Sequence, residues 1–337
     1  MSSTLTRKIG NTVVSPIGFG ALGMGHGMPV NLGPSISDEE RFKLLDAAYE
    51  QGARHWDTAD VYGDSEEFIG KWLSRTGKRD QIFLATKCGM TMKGAVGTPE
   101  YVRQQCEASL KKLGVDCIDL FYLHRVDGNT PIEVTISAMV NLIKEGKIKY
   151  IGLSECGISD LRRAHAVHPI SALQMEYSPL WLSVERNGIL DATKELGVTL
   201  VAYSPLGSGM ITGQFKSPDD FGPGDFRLNV PRYSKENFPK IIAAVDKIRE
   251  VANAHGATPG QISLSWLLAQ SENIVLIPGT QKIKYIVENV GALKIKLSSE
   301  EIQAVRDICE ESDRVIEGKR NPHVELFAGV ESPPMQQ

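Results

Sequence analysis

Short apolar runs rich in β-formers alternate with stretches of helical periodicity through most of this chain, a rhythm that a sheet of parallel strands flanked by helices satisfies. The runs are SPIGFG (15–20), RHWDT (54–58), QIFLATK (81–87), CIDLFYLH (117–124), KYIGLS (149–154), SALQMEY (171–177), VTLVAYS (198–204) and NIVLIPG (273–279), eight in all. Between them, apolar residues recur at helical spacing, as in Leu44/Leu45/Ala48/Tyr49, Phe68/Ile69/Trp72/Leu73 and Val102/Cys106/Leu110/Leu113, which predicts faces that pack on the sheet.

Local chemistry marks where those helices begin and end. Ser37 with Glu40, Asp64 with Glu67, and Thr130 with Glu133 have capping-box spacing, and Thr98-Pro99, Thr130-Pro131 and Thr258-Pro259 put proline at a first helical position. Gly52, Gly114, Gly146 and Gly197 stand where a helix must turn back into the next strand. Eight β-then-α units with no change of compositional regime predict an α/β (β/α)8 TIM barrel of eight parallel strands with long loops at its C-terminal face. The expected single domain covers 1–337, with the barrel core at 15–295 and a C-terminal helix, opened by Ser298 or Ser299, and tail over 298–337. An open doubly wound sheet is the alternative. At 337 residues the chain exceeds the roughly 250 that such a barrel commonly needs.

Two segments break the rhythm. Residues 207–239 are rich in Gly, Pro and Asp after the seventh run and read as a lid over substrate or cofactor, and 313–337 read as a tail that walls a pocket.

Composition narrows the function classes. With 42% hydrophobic and 23% charged residues the chain is globular, and a net charge of −4 offers no footprint for nucleic acid or an anionic membrane. The five cysteines, Cys88, Cys106, Cys117, Cys156 and Cys309, include no CxxC pair, so reduced thiols are expected and no metal site. No stretch has the apolar length of a membrane span, the N-terminus lacks a signal-peptide core, and the chain ends PMQQ without a peroxisomal tripeptide. A cytoplasmic protein acting on a small molecule is the expectation.

In a parallel barrel the carboxyl ends of all strands share one rim, where active sites are built. The runs end on Asp57, Lys87, His124, Ser154, Gln174, Tyr203 and the pair Gly279-Thr280. Singly, each reads as a loop residue or a satisfied structural group. Together with Tyr62, in the loop after Asp57, they suggest proton transfer. A phenol is a poor acid near neutrality, but an ammonium close by lowers the cost of the phenolate and lets it donate a proton. Lys87 would supply that charge, Asp57 would hold Lys87, and His124 would polarise a carbonyl oxygen beside Tyr62.

The strings DTADVYGDSEEFIG (57–70), ATK (85–87), DLFYLH (119–124), IGLSE (151–155), LQMEYSPL (173–180), VAYSPLGSG (201–209) and IPGT followed by VENVGAL resemble, in order, the signatures of the aldo-keto reductases. The resemblance implies that Asp57, Tyr62, Lys87 and His124 match the family's catalytic tetrad, with Tyr62 as general acid while hydride passes from a nicotinamide to the substrate carbonyl. It further implies that Ser154 and Gln174 bind the cofactor carboxamide and that Tyr203 stacks on the nicotinamide. Glu155 stands where many members have Asn. Ser-Glu at this point is also familiar in members similar to perakine reductase, pyridoxal reductase and the fungal yakc-like reductases, and Glu155 could still accept from the carboxamide.

Ser204, Pro205, Leu206 and Gly207, then Gly279, Thr280, Lys282, Lys284, Glu288 and Asn289, cover the expected phosphate and adenine end, with Glu288 and Asn289 matching the adenine contacts. Gly20 and Ala21 are expected to run close to the nicotinamide. GFGALG (18–23) has dinucleotide-fingerprint spacing but lacks the acidic partner, so it is read as a false match. Lys282 and Lys284 at a helix start suit a 2′-phosphate, favouring NADPH/NADP+ over NADH, although a surface role serves either lysine equally well and some relatives carry Arg where Tyr285 aligns. The expected partner is a small-molecule carbonyl substrate, with Leu22, Met90, Arg125, Trp181 and the 207–239 segment around it. The family includes monomers and larger assemblies. Two other readings are a cofactor-holding regulatory module without turnover and a metal-dependent hydrolase using His55, Asp57 and His124.

Overall fold

The structure is a computed structural model that describes residues 5–27, 35–91, 93–327 and 329–335. The parts of the expected 1–337 domain and 313–337 tail at the other positions lie outside the described residues. A hairpin of β1 (Arg7–Ile9) and β2 (Thr12–Val14) precedes β3 (Phe19–Gly20). Then come α1 (Asp38–Glu50), β4 (His55–Asp57), α2 (Ser65–Thr76) and β5 (Phe83–Cys88). A small hairpin of β6 (Met90–Thr91) and β7 (Gly94–Ala95) leads to α3 (Pro99–Leu113), β8 (Ile118–Leu123), α4 (Ile132–Lys144), β9 (Ile148–Ser154) and α5 (Ile158–Val167). Next are β10 (Ala172–Glu176), α6 (Ser183–Arg186), α7 (Ile189–Leu196) and β11 (Thr199–Tyr203). The chain finishes with α8 (Phe238–Ala254), α9 (Pro259–Ala269), β12 (Ile274–Leu276), α10 (Ile283–Gly291), α11 (Ser299–Val315) and α12 (Pro322–Glu325).

The eight strands β3, β4, β5, β8, β9, β10, β11 and β12 pair in that order, each parallel to the next. Parallel bridges Ile17 to Leu276 and Gly20 to Gly279 bring the first strand against the last, so the sheet closes into the expected (β/α)8 barrel. Closure is tight: a Cβ on Gly20 would lie 2.6 Å from the Ile277 carbonyl oxygen, and one on Gly279 would lie 2.9 Å from that of Gly20. Glycine is what permits two backbones to approach this closely.

Side chains alternate across each strand. Trp56, Leu84, Cys88, Phe121, Leu123, Ile151, Leu153, Leu173 and Leu200 join the outer core beneath the helices, which runs from Ile17 to Ile316. Phe83, Ala85, Leu120, Tyr122, Ala172, Val201, Val275 and Ile277 fill the barrel, joined by Ile9 and Val14 of the N-terminal hairpin. That hairpin was not anticipated. It closes the amino end of the barrel, held by Thr199 Oγ1 donating to the Lys8 carbonyl at 2.6 Å and Tyr150 Oη accepting from the Asn11 amide at 3.2 Å.

The caps divide. Ser37 with Glu40, Thr258 with Gln261 and Ser298 with Glu301 form capping boxes, and Thr98 caps α3 ahead of Pro99. Gly52, Gly114, Gly146 and Gly197 all take positive φ at the helix ends. The other two expected boxes are corrected by competing partners. Asp64 makes no cap bond, because its oxygens accept from the His26 amide at 2.7 Å and from the Arg41 guanidinium at 2.6 and 3.0 Å. Thr130 donates to Asp127 at 2.7 Å, Glu133 pairs with Arg163 at 2.7 Å, and α4 starts one residue after Pro131. The 207–239 segment folds as four 3-10 turns, Gly207–Thr212, Pro218–Asp220, Phe226–Asn229 and Pro231–Tyr233. Arg227 lies against the rings of Phe215 and Phe221, 4.4 and 4.7 Å from their centroids.

Candidate active site

The two-residue period of the strands places the expected rim residues on the inside. In β5, Phe83 and Ala85 face inward and Lys87 follows them. In β8, Leu120 and Tyr122 lead to His124, and in β4 His55 leads to Asp57. Register does the rest: Gly20 pairs with Asp57, Asp57 with Ala85, Gln174 with Ser154, and Glu176 with Tyr203.

At this rim Lys87 is fully buried and Asp57 is 2% exposed. The Lys87 ammonium makes an ion pair with Asp57 and donates to the Thr58 carbonyl at 2.7 Å and to the Tyr62 hydroxyl at 3.5 Å. Burial pulls the Lys87 pKa down, but Asp57 and Tyr62 outweigh it and hold the group above its ordinary value, so the ammonium stays charged. The other Asp57 oxygen accepts from Gln174 Nε2 at 2.8 Å. His124 stands edge-on to Tyr62, ring centroids 5.9 Å apart and planes at 79°. Burial, with Arg125 and Lys87 adding like charge, pushes the His124 imidazole well below its usual pKa, and its Nδ1 is buried without a partner among the described residues. A charged ammonium, a phenol and a neutral imidazole thus meet at one wall.

The other expected residues fall around them. Ser154 is buried beside Arg125, whose Nη1 donates to its hydroxyl at 3.2 Å. Glu155 takes φ 53, and both its carboxylate oxygens are engaged by Arg320, at 2.5 and 3.1 Å. One of them also accepts from the Tyr203 hydroxyl at 2.9 Å and the Glu176 amide at 3.1 Å. Burial and the neighbouring Glu155 raise Glu176 to about 7 against the pull of Arg320. Glu155, Ser204 and Ser208 are the three non-glycine residues with positive φ among those described, and all lie on loops leaving β9 and β11 at this rim. Concentrated strain of this kind accompanies functional loops.

Ser204, Pro205, Leu206 and Gly207 lead into the first 3-10 turn, where Tyr233 Oη donates to the Gly207 carbonyl at 3.0 Å. Ala21 is fully buried, its amide donating to the Asp57 carbonyl at 2.8 Å. Gly279 and Thr280 lead to α10, whose N-cap is Lys282. Lys282 and Lys284 are exposed, lie 5.8 and 4.9 Å from the Tyr285 ring centroid, and form no ion pair among the described residues. Glu288 accepts from Thr258 Oγ1 at 2.7 Å, and Asn289 is buried. Two exposed cations without an ion-pair partner among the described residues, at the start of a helix, are a donor set that fits a phosphate.

His55 is set apart from the rim. It lies one inward layer below Asp57, edge-on to Phe83 with centroids 5.3 Å apart, and neither ring nitrogen has a partner among the described residues. Leu22 is exposed, Met90 lies in the β6–β7 hairpin, and the Trp181 ring has the Arg232 and Arg320 guanidinium carbons 4.8 and 5.5 Å from its centroid. Arg320 and the Thr58 carbonyl are site partners that sequence reasoning missed. Nothing local in the tail points at Arg320, which becomes meaningful only when the fold carries it to Glu155.

A closed parallel barrel carrying an ion-paired ammonium beside a phenol and an imidazole at its carboxyl rim has the groups needed to pass a proton to or from an oxygen. The model of the aldo/keto reductase family matches residues 16–310. The chain is 56% identical over 340 residues to aldo-keto reductase str7 of Strobilurus tenacellus, covering 98% of this chain and 99% of that one. It is 47% identical to aldo-keto reductase yakc [NADP(+)] of Schizosaccharomyces pombe, with 98% of each covered. Among solved structures it superposes on the glycerol dehydrogenase AKR11B4 of Gluconobacter oxydans with a TM-score of 0.83 at 27% identity, covering 92% of this chain and 96% of that one. The protein belongs to the aldo/keto reductase family and is an oxidoreductase of that class. Among the described residues no helix is long and apolar enough to cross a membrane.

Proposed function

We propose that this protein reduces an aldehyde or ketone to the alcohol using NADPH, with Tyr62 as the general acid. The observation that carries the reading is the Lys87 ammonium, ion-paired with Asp57 and 3.5 Å from the Tyr62 hydroxyl. When bound, the nicotinamide supplies the hydride. The protein's own residues handle the proton and the charge. Tyr62 donates its proton to the carbonyl oxygen as negative charge develops there, and Lys87 lowers the cost of the phenolate left behind. His124, kept neutral, donates a hydrogen bond to the same oxygen without competing as an acid. Gln174 and Ser154 bind the carboxamide, Tyr203 supports the nicotinamide ring, and the turn from Ser204 to Gly207 with Glu288 and Asn289 holds the rest of the cofactor. Lys282 and Lys284 favour the 2′-phosphate, a reading supported by the NADP(+) in the yakc relative's name. The five cysteines are all free, consistent with action in the cytosol.

The test follows NADPH absorbance with 4-nitrobenzaldehyde, for the native protein and Tyr62→Phe, and repeats both with NADH. The variant should lose on the order of 10²- to 10⁴-fold in kcat while still quenching on NADPH titration. A native protein that binds NADPH yet reduces no member of a broad carbonyl panel would overturn the assignment in favour of a binding module.

A further inference from the structure

Arg125 directly follows His124 and is only 5% exposed. Taking a guanidinium out of water is costly unless it meets an anion, and the other deeply buried arginines obey that rule. Arg41 pairs with Asp64 at 2.6 Å and Asp38 at 2.9 Å, and Arg232 lies 3.6 Å from Asp313. Arg320, with 11% of its side chain exposed, pairs with Glu155, Glu176 and Glu325. Arg125 has no carboxylate partner among the described residues. Its Nη1 donates to the His124 carbonyl at 2.6 Å and to Ser154 Oγ at 3.2 Å, and its Nε is buried with no hydrogen-bond partner among the described residues. The Phe327 ring, from the C-terminal tail, is 5.9 Å from the guanidinium carbon.

Nearby carboxylates make their hydrogen bonds elsewhere, and Glu155 feels the Arg125 charge only at longer range. Asp57 is committed to Lys87 and Gln174. Glu155 is committed to Arg320, Tyr203 and the Glu176 amide. Asp127 accepts from the Gly97 and Asn129 amides and from Thr130. The cation is therefore left over beside the imidazole of the proton-transfer wall, roofed by an aromatic ring. The cofactor's phosphates belong, on the reading above, to the far end of the site near Lys282 and Lys284, and its carboxamide carries no charge.

We propose that Arg125 is a specificity-determining residue that binds an anionic group, a carboxylate, on the carbonyl substrate, so that the protein prefers carbonyl compounds bearing a carboxylate over their neutral esters. The inference rests on the reductase reading, and its test separates the two. Benzoate is titrated calorimetrically into the NADP+ complex of the native protein, Arg125→Met and Arg125→Lys, a measurement that needs no turnover. In parallel, kcat/KM is measured for 2-, 3- and 4-carboxybenzaldehyde and their methyl esters. Native protein should bind benzoate and favour at least one acid over its ester. Arg125→Met should weaken benzoate binding and raise KM for that acid by on the order of tenfold to a hundredfold, as expected for a charged hydrogen bond. The loss for the acid should exceed any change for its ester, and Arg125→Lys should recover part of it. Benzoate binding that is absent in the native protein, or equal in all three, overturns the proposal, as does an acid-to-ester ratio unchanged by Arg125→Met. Absence of reduction with acids and esters alike, while benzoate binding follows Arg125, overturns the reductase reading and leaves the anion site standing. Circular dichroism establishes that each variant is folded, and Arg125→Gln replaces Arg125→Met if the latter is not.

Discussion

Lys87, His124 and His55 are buried in one barrel and take different charge states because their partners differ. Lys87 has a carboxylate in contact and remains an ammonium. His124 has two cations nearby and is neutral. His55 has no hydrogen-bond partner among the described residues, and burial pushes it down to about 4. An unfolded histidine takes up its proton near pH 6.5, so the native state resists a proton that the unfolded state accepts. The stability tied to His55 is therefore complete above about pH 6.5 and is lost as the pH falls toward about 4. A shift of this size corresponds to about 3 kcal/mol. In urea unfolding followed by circular dichroism at pH 7 and pH 4, His55→Gln should lose less stability than the native protein by roughly that amount. Equal losses would mean that His55 does not carry the acid sensitivity.

Among the elements, α9 ties packing to the site. Thr258 caps the helix by accepting from the Gln261 amide at 3.2 Å, Pro259 opens it, and the Thr258 hydroxyl donates to Glu288 at 2.7 Å. Thr258→Ala removes a cap worth about 1 kcal/mol and frees a side chain from the expected adenine end. Its unfolding free energy should fall by about that much, and its NADPH dissociation constant should rise in a fluorescence titration while kcat is unchanged. An unchanged affinity would detach Glu288 from cofactor binding. Caps were legible at Ser37, Thr98 and Thr258, whose hydroxyls accept from their own helices. They failed at Asp64 and Thr130, where Arg41 and Asp127 offered better partners.

For the whole molecule, closure of the barrel depends on Gly20 and Gly279. Gly20→Ala would drive a methyl group to 2.6 Å from the Ile277 carbonyl oxygen, and the strands must separate to admit it. It should cost about 1–3 kcal/mol in urea unfolding and lower kcat, because Gly20 is paired with Asp57. Unchanged stability would show that the seam has slack.

The eight strands, most helix boundaries and the rim residues were readable because periodicity, strand alternation and terminal glycines act over a few residues. Alternation alone fixed that Lys87 and Asp57 point into the barrel once their strands are parallel neighbours. Tertiary structure decided the partners. The N-terminal hairpin reads as an ordinary leading segment until the barrel gives it an open end to fill. Gln174 meets Asp57 across 117 residues, and Arg320 meets Glu155 across 165. No local pattern encodes such pairs, because an ion chooses among all the counter-charges the fold brings within reach, and the same choice left Arg125 without an ion-pair partner among the described residues.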